Sequence, residues 1–414
     1  MSELAINGGP KVRTKPWPVW PPSSEMEKEQ LLDVLESRSW GGYPSPNRKA
    51  KEFGEKFAAY TGAKYGVCCA NGTVSLEMCL RAAGLKYGDE VIVPPYTWVA
   101  TATAVVTTNG VPVFADVKAE DYTLDPDIVE AKITDKTKAI IPVHLGSSAA
   151  DMDRFMEIAA KHNLIIIEDC AHAHGAKWNG VGLGSIGHFG SFSFQSSKLM
   201  TSGEGGLVLT NDEEFNMKLH SLVNCGRKES GYSKFDGWLV GWNYRIGEFQ
   251  AGVLLAQLAA LDERTRLRME NAAYFTEQLR QIDGIEVIER DPRLTPQHHY
   301  QYIFKFHPEG FKGLHRNQFL QALYAEGVEF DGPFYEAIPG RDEFPVTADY
   351  YPAIRERYGE AITEAHAADC PVTQKATFDE AVWVHYPYLM GTKQDIDDII
   401  TAIRKIQENV DELL

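Results

Sequence analysis

The run Leu164-Ile165-Ile166-Ile167-Glu168-Asp169 constrains the fold of this chain more than any other stretch. Four apolar residues stand in a row without polar alternation, and two carboxylates close them. A strand with one solvated face alternates, whereas an unbroken apolar run belongs to a strand covered on both faces, as in a parallel sheet between helices. Ala139-Ile140-Ile141-Pro142-Val143 has the same character. Further apolar runs fall at 65–70, 90–93 and 112–117, and segments of helical period at 73–83, 97–108, 126–133 and 151–162 separate most of them. That alternation predicts an α/β architecture with a mostly parallel sheet. Runs at 189–194 and 207–210 lie close together in sequence and are expected to join the sheet as antiparallel additions, for seven strands in all.

The flanks have a different texture. Ser24-Glu25-Met26-Glu27 reads as a capping box opening a helix to about Ser37, and a Gly/Pro-rich turn at 41–46 leads to a second helix over 48–61. A long helical region runs from Glu248 past Leu261 to about Ile282. Beyond it, 285–288 and 300–306 alternate like strands, 313–326 is helical and 395–414 closes the chain as a helix. The expected organisation is a large α/β domain with an N-terminal extension over 1–264 and a smaller α+β domain over 265–414.

Charge and composition exclude several classes of function. Fifty-eight acidic residues against 41 basic ones give a formal charge of -17, a surface that repels phosphate backbones and argues against nucleic acid. No stretch approaches the ~18 uninterrupted apolar residues of a membrane helix. The N-terminal MSELAINGGPKVRTKPWP has no apolar core after its charges, so no membrane association is expected and the chain is read as cytoplasmic. Cys68, Cys69, Cys79, Cys170, Cys225 and Cys370 form no CxxC pair and no metal spacing, and read as small buried hydrophobes.

Three strand-end segments carry candidate chemistry, because ligands of open α/β sheets sit outside the carboxyl ends of the strands. Cys69-Ala70-Asn71-Gly72-Thr73 runs from a strand into a helix start, where exposed N–H groups bind anions and a glycine admits a phosphate; an ordinary Asn-Gly turn capped by Thr73 explains the same residues. Glu168-Asp169-Cys170-Ala171-His172-Ala173-His174 places carboxylates where burial is costly without a partner. A cationic ring nitrogen, a metal or a helix cap could supply it; the i+3 and i+5 histidines fit no standard metal cluster, so no metal is expected. His144, ending its strand, is either a satisfied buried histidine or a neighbour of the site. Phe192-Ser193-Phe194-Gln195-Ser196-Ser197-Lys198, followed by Ser202-Gly203-Glu204-Gly205-Gly206, sets one lysine among aromatic, hydroxyl and glycine residues, surroundings suited to a neutral amine nucleophile.

Taken together, a phosphate cradle, a strand-end aspartate and a lysine 29 positions later resemble the fold type I pyridoxal phosphate enzymes, and among them the DegT/StrS sugar aminotransferase family, over nearly the whole chain. The resemblance implies pyridoxal 5′-phosphate as cofactor, with Lys198 as the Schiff-base lysine and Asp169 pairing with the pyridine nitrogen. His172 stands where the family usually has a glutamine near the cofactor's phenolic oxygen. Trp98, in PPYTWVATAT, matches the aromatic that stacks on the cofactor, and Gly72, Thr73, Ser193 and Gln195 match phosphate-side positions. Asn243, in Gly241-Trp242-Asn243-Tyr244-Arg245, matches an asparagine that reaches a phosphate across a homodimer interface. Trp98 read alone is equally a core aromatic, and Asn243 a loop residue.

LAINGGPKVRTKPWPVWP is similar to the opening of inosose aminotransferases of aminocyclitol antibiotic pathways, and SFQSSKLMTSGEGG and Ala381-Val382-Trp383-Val384-His385 resemble those enzymes and the 3-amino-5-hydroxybenzoate synthases. The implied activity is ping-pong transfer of an amino group from L-glutamine or L-glutamate to a keto-cyclitol or keto-sugar, with Lys198 as acid and base. Two alternatives stay open at the level of sequence: a dehydrating, aromatising synthase of the aminohydroxybenzoate type, and a cofactor-binding regulator without turnover.

Overall fold

A computed structural model describes residues 3–414 of the chain; Met1 and Ser2 of the N-terminal stretch lie outside the described residues. Helices α1 (Glu25–Ser37) and α2 (Arg48–Thr61) precede β1 (Tyr65–Cys69) and α3 (Gly72–Ala82). Then come β2 (Glu90–Val93), α4 (Ala100–Thr107), β3 (Val111–Phe114), α5 (Pro126–Ala131), β4 (Thr137–Ile140), α6 (Met152–His162) and β5 (Ile165–Asp169). A short ribbon, β6 (Lys177–Trp178) and β7 (Val181–Gly182), leads to β8 (Phe189–Ser193), β9 (Gly206–Thr210) and α7 (Glu213–Val223).

The seven-stranded sheet has the order β1-β9-β8-β5-β4-β2-β3. β8 pairs with β5 in parallel, and β9 alone runs against its neighbours β1 and β8. Of the two expected antiparallel additions, then, β9 is one and β8 continues the parallel set.

Period-two geometry sends successive side chains of each strand to opposite faces. Ile166 joins one core with Phe53, Phe57 and Phe155, while Ile167 joins the other with Leu76, Leu80 and Val105. Cys68 and Cys69 divide in the same way. Five cysteines are buried and Cys225 is exposed. By the same alternation Glu168 points with Ile166 and Asp169 with Ile167, so the two carboxylates meet different surroundings.

The capping box at Ser24 opens α1 as expected, with the Ser24 N–H donating to Glu27 Oε2 at 2.8 Å. The long helix expected after Glu248 is instead two, α8 (Glu248–Ala259) and α9 (Leu261–Leu279), separated at Ala260. The turn serves two cores: Leu254 and Leu261 enter the sheet core, while Phe275 and Leu279 enter a separate one. That second core lies under the antiparallel sheet of β10 (Ile285–Val287), β11 (Gln301–Phe306) and β12 (Ala381–His385), with α10 (Arg316–Ala325) and, at the end of the chain, α13 (Lys393–Glu408). Residue 264 falls inside α9.

Between α10 and β12 the chain makes a long excursion that includes the short helices α11 (Arg355–Tyr358) and α12 (Pro371–Lys375). Ile338, Phe344, Val346, Ile354 and Ile362 of this strap are buried in the core formed with α3 and α4. Fully burying a side chain of this kind is worth ~1.5–3 kcal/mol, so five of them fix the strap to the large sheet. The Ile338 N–H donates to Pro95 O at 2.9 Å, just before the segment that carries Trp98. Among the described residues no helix is long and apolar enough to cross a membrane.

Candidate active site

A cavity of about 680 Å³ opens at the carboxyl ends of β5 and β8, beside the N-termini of α3 and α4. It is lined by Gly72, Thr73, Trp98, Asp169, His172, Ser193, Gln195 and Lys198, eight of the nine residues expected from sequence.

Asp169 is 5% exposed. Thr101 Oγ1, in the first turn of α4, donates to its Oδ2 at 2.9 Å, and the Ala171 N–H donates to Oδ1 at 3.2 Å. Burial nevertheless raises its pKa, the donors and the charge of Lys198 offsetting this only in part. A carboxylate kept ionised at such a position needs a cation beside it. Its neighbour Glu168, on the opposite face, is satisfied within the protein. It accepts from the Gly184, Ile186 and Gly187 N–H groups at 2.8, 2.9 and 2.7 Å, and lies 3.2 Å from His144 Nε2. His144 Nδ1 in turn accepts from the Ala150 N–H at 3.2 Å. His144, Glu168 and Cys170 lie within metal-ligand reach of one another, yet these bonds already use the imidazole and the carboxylate. His144 is a buried histidine with both nitrogens engaged.

On the other side of the cavity, Asn71 caps α3 by accepting from the Val74 N–H at 3.0 Å, so the intervening Gly72 and Thr73 line the cavity at the helix N-terminus. A Cβ at Gly72 would lie 2.5 Å from Ser193 Cβ, so the cradle closes with any other residue there. Gln195 is turned toward its own loop: Oε1 accepts from Ser197 N and Oγ at 2.8 and 2.7 Å, and Nε2 donates to Ser196 Oγ at 2.8 Å.

Lys198 Nζ stands 4.6 Å from the centroid of the Tyr300 ring. Tyr300 comes from just before β11 and stacks on His172 with centroids 4.0 Å apart. His174, behind the cavity, donates through Nε2 to Ser193 O at 2.9 Å, and burial pushes its pKa down to about 3. Trp98 is half exposed at the cavity wall, with the Arg341 guanidinium 5.8 Å from its ring.

Asn243 is the residue not brought to this cavity. It is exposed and forms a backbone bridge with Asn224, at the root of a surface segment that displays Trp238, Val240 and Trp242. Thr101, Tyr300, Phe334 and Tyr335 line the cavity without having been singled out from sequence. Thr101 lies within the expected helical segment 97–108 but carries no local signal of its own; the other three come from the second half of the chain and carry none either.

The profile of the DegT/DnrJ/EryC1/StrS aminotransferase family matches residues 23–404. The chain belongs to this family. A Micromonospora echinospora relative with the provisional name L-glutamine:3-amino-2,3-dideoxy-scyllo-inosose aminotransferase is 47% identical over 409 residues, 99% of this chain and 98% of that protein. The L-glutamine:2-deoxy-scyllo-inosose aminotransferase of Streptomyces lividus is 38% identical over 422 residues, covering 97% of each. Among solved structures, 3-amino-5-hydroxybenzoic acid synthase superposes with a TM-score of 0.82 at 31% identity, over 97% of this chain and 100% of that one. The protein is therefore an aminotransferase on a fold type I scaffold, and DegT-family aminotransferases depend on pyridoxal 5′-phosphate.

Proposed function

We propose that this aminotransferase uses pyridoxal 5′-phosphate to carry an amino group from L-glutamine or L-glutamate to a keto-cyclitol of the inosose class. The names of the relatives support the donor and the acceptor. The observation that carries the acceptor class is the charge of the cavity: Lys198 is the only lysine or arginine among its lining residues, against the carboxylates Asp169 and Glu204. A nucleotide-linked keto-sugar brings a diphosphate in addition to the cofactor's own phosphate; the cofactor takes the α3 N-terminus and Lys198, and no other Arg or Lys lines the cavity to pair with it. An inosose is an uncharged polyol.

The residues fit the cofactor. Gly72, Thr73 and Ser193 form a cradle for a phosphate at a helix N-terminus, Asp169 is a buried carboxylate in want of a cationic ring N–H, and Trp98 offers an aromatic face. When bound, pyridoxal phosphate withdraws electrons from the donor's Cα and makes its hydrogen acidic. Asp169 holds the ring nitrogen protonated, and Thr101 and the Ala171 N–H hold Asp169 in place. Lys198 Nζ takes the α-proton of the donor and, in the second half of the cycle, returns a proton to the carbon that bore the ketone. Trp98, Tyr300, Phe334 and Tyr335 wall the cavity with aromatic surface and limit the entry of water.

Asn243 completes the phosphate side of a second subunit in a homodimer on this reading. Its exposure, its place outside the lining of this chain's own cavity and the aromatic segment beside it support that role. Lys198→Ala and Asn243→Ala chains, each nearly inactive alone, should recover about a quarter of wild-type activity when refolded together, since half the dimers then hold one intact site. No recovery, together with a monomer by sedimentation, would exclude a shared site.

Incubation with L-glutamine and scyllo-inosose, followed by product analysis, tests the acceptor. An aminocyclitol is expected. Amination of a nucleotide-linked keto-hexose with none of the inosose would overturn the reading, as would loss of water to an aromatic product.

A further inference from the structure

His172 has two ring nitrogens and both are engaged. The Gly146 N–H lies 3.2 Å from Nδ1, and Tyr335 Oη lies 3.3 Å from Nε2. A backbone N–H can only donate, so Nδ1 is an acceptor and bears no proton. Burial also pushes the His172 pKa well below its ordinary value, so the ring is neutral and its single proton sits on Nε2. The Nε2–H therefore donates to Tyr335 Oη, and the phenolic proton of Tyr335 is left to point elsewhere. Burial drives the Tyr335 pKa well up, so that proton stays on the oxygen.

Tyr335 lines the cavity, and its ring is held from several sides. Tyr96 and Trp383 meet it edge to face at 6.5 and 5.5 Å, Phe334 packs beside it at 4.7 Å, and Thr377 Oγ1 donates to its backbone carbonyl at 3.2 Å. It arrives on the strap, from a part of the chain distant in sequence from the sheet-end residues Asp169, Ser193 and Lys198 that serve the cofactor.

We infer that His172 and Tyr335 form a one-way hydrogen-bond relay that presents the Tyr335 phenolic proton to an oxygen of the bound ketone substrate, making Tyr335 an acceptor-recognition residue and His172 the residue that sets its direction. The inference deepens the reading given above and rests on it for the acceptor being a polyol. Each hydroxyl or keto oxygen of such a molecule must regain in the cavity the hydrogen bond it loses from water. The relay also accounts for histidine where the family resemblance leads one to expect glutamine. A glutamine amide offers the same pair, an oxygen to accept the Gly146 N–H and an N–H to donate to Tyr335.

The test uses the cofactor-loaded enzyme and whichever of scyllo-inosose and a nucleotide-linked keto-hexose the wild type aminates. Failure of the cyclitol reading thus shows in that first comparison and leaves the relay to be judged separately. Tyr335→Phe should leave the glutamine half-reaction within about twofold of wild type while raising KM for the ketone tenfold or more. His172→Phe should raise the ketone KM by at least the same factor, and His172→Gln should restore it to within about threefold of wild type. Ring-¹⁵N-labelled histidine, with the His172 signals assigned by their loss in His172→Gln, should show an unprotonated Nδ1 and a protonated Nε2 throughout pH 6–8.5. A protonated Nδ1, or in Tyr335→Phe an unchanged ketone KM or an equal slowing of both half-reactions, would each overturn the inference.

Discussion

At the scale of single residues, the site is governed by a carboxylate that the fold buries at a cost. Asp169 faces the cavity because it is one residue beyond Glu168 on a pleated strand, and only Glu168 meets a loop of backbone N–H groups. Its pKa is raised by burial, so its ionisation destabilises the cofactor-free protein: that cost is absent below about pH 4 and complete above the folded pKa. Asp169→Asn should therefore unfold at no lower temperature than wild type when cofactor-free at pH 8. The mutant should gain little from added pyridoxal phosphate, and turnover should fall at least a hundredfold; thermal unfolding with and without cofactor, beside a turnover assay, measures both. Gly72→Ala asks a different question. A Cβ 2.5 Å from that of Ser193 forces the two strand-end segments apart, and we expect at least a tenfold weaker cofactor Kd by equilibrium dialysis, with a stability loss of ~1–3 kcal/mol.

At the scale of elements, much was legible wherever the signal was local. The unalternating runs that became β4 and β5 and the capping box of α1 were readable, because each depends on residues within a few positions of one another, and the start of α3 was readable to within a residue or two, its cap being Asn71 and not Thr73. What was hidden depends on distance in sequence. α2 begins at Arg48 with no side-chain cap from Asn47; its Lys49 and Ala50 N–H groups donate instead to Glu248, at 2.7 and 2.9 Å, from the first turn of α8. No window around residue 48 could show that. Glu248→Ala should cost ~2–3 kcal/mol, because it strands two buried donors. Denaturant unfolding should show a lower midpoint at unchanged slope, while KM for either substrate stays within about twofold. The strap was hidden for the same reason: Ile338, Phe344 and Val346 follow no helical or strand period, and only the folded chain shows them filling the face of α3 and α4. Tyr335 travels with them, and so the wall nearest the proposed acceptor was the least readable part of the site.

At the scale of the whole molecule, burial has collected histidines that stay neutral. The ordinary pKa is pushed down to about 3 at His174, His220 and His299, and well down at His172 and His298, with burial the leading cause each time. The unfolded chain binds protons at these positions near pH 6.5 and the folded chain does not, so their contribution is fully present above pH 6.5 and is lost as the pH falls below it. Each costs about 1.4 kcal/mol per pH unit in that range. A steep fall in Tm between pH 6.5 and 5 is expected, and a flat profile there would mean that these rings are not buried neutral in solution. The whole arrangement serves one cavity, in which the strand-end carboxylate and the lysine of the β8–β9 loop face a common space. The most direct measurement is borohydride reduction of the protein loaded with pyridoxal phosphate, followed by peptide mass mapping. One pyridoxyl group per chain is expected, on the peptide that contains Lys198, with its loss in Lys198→Ala; a label on another lysine, or none, would remove Lys198 from that role.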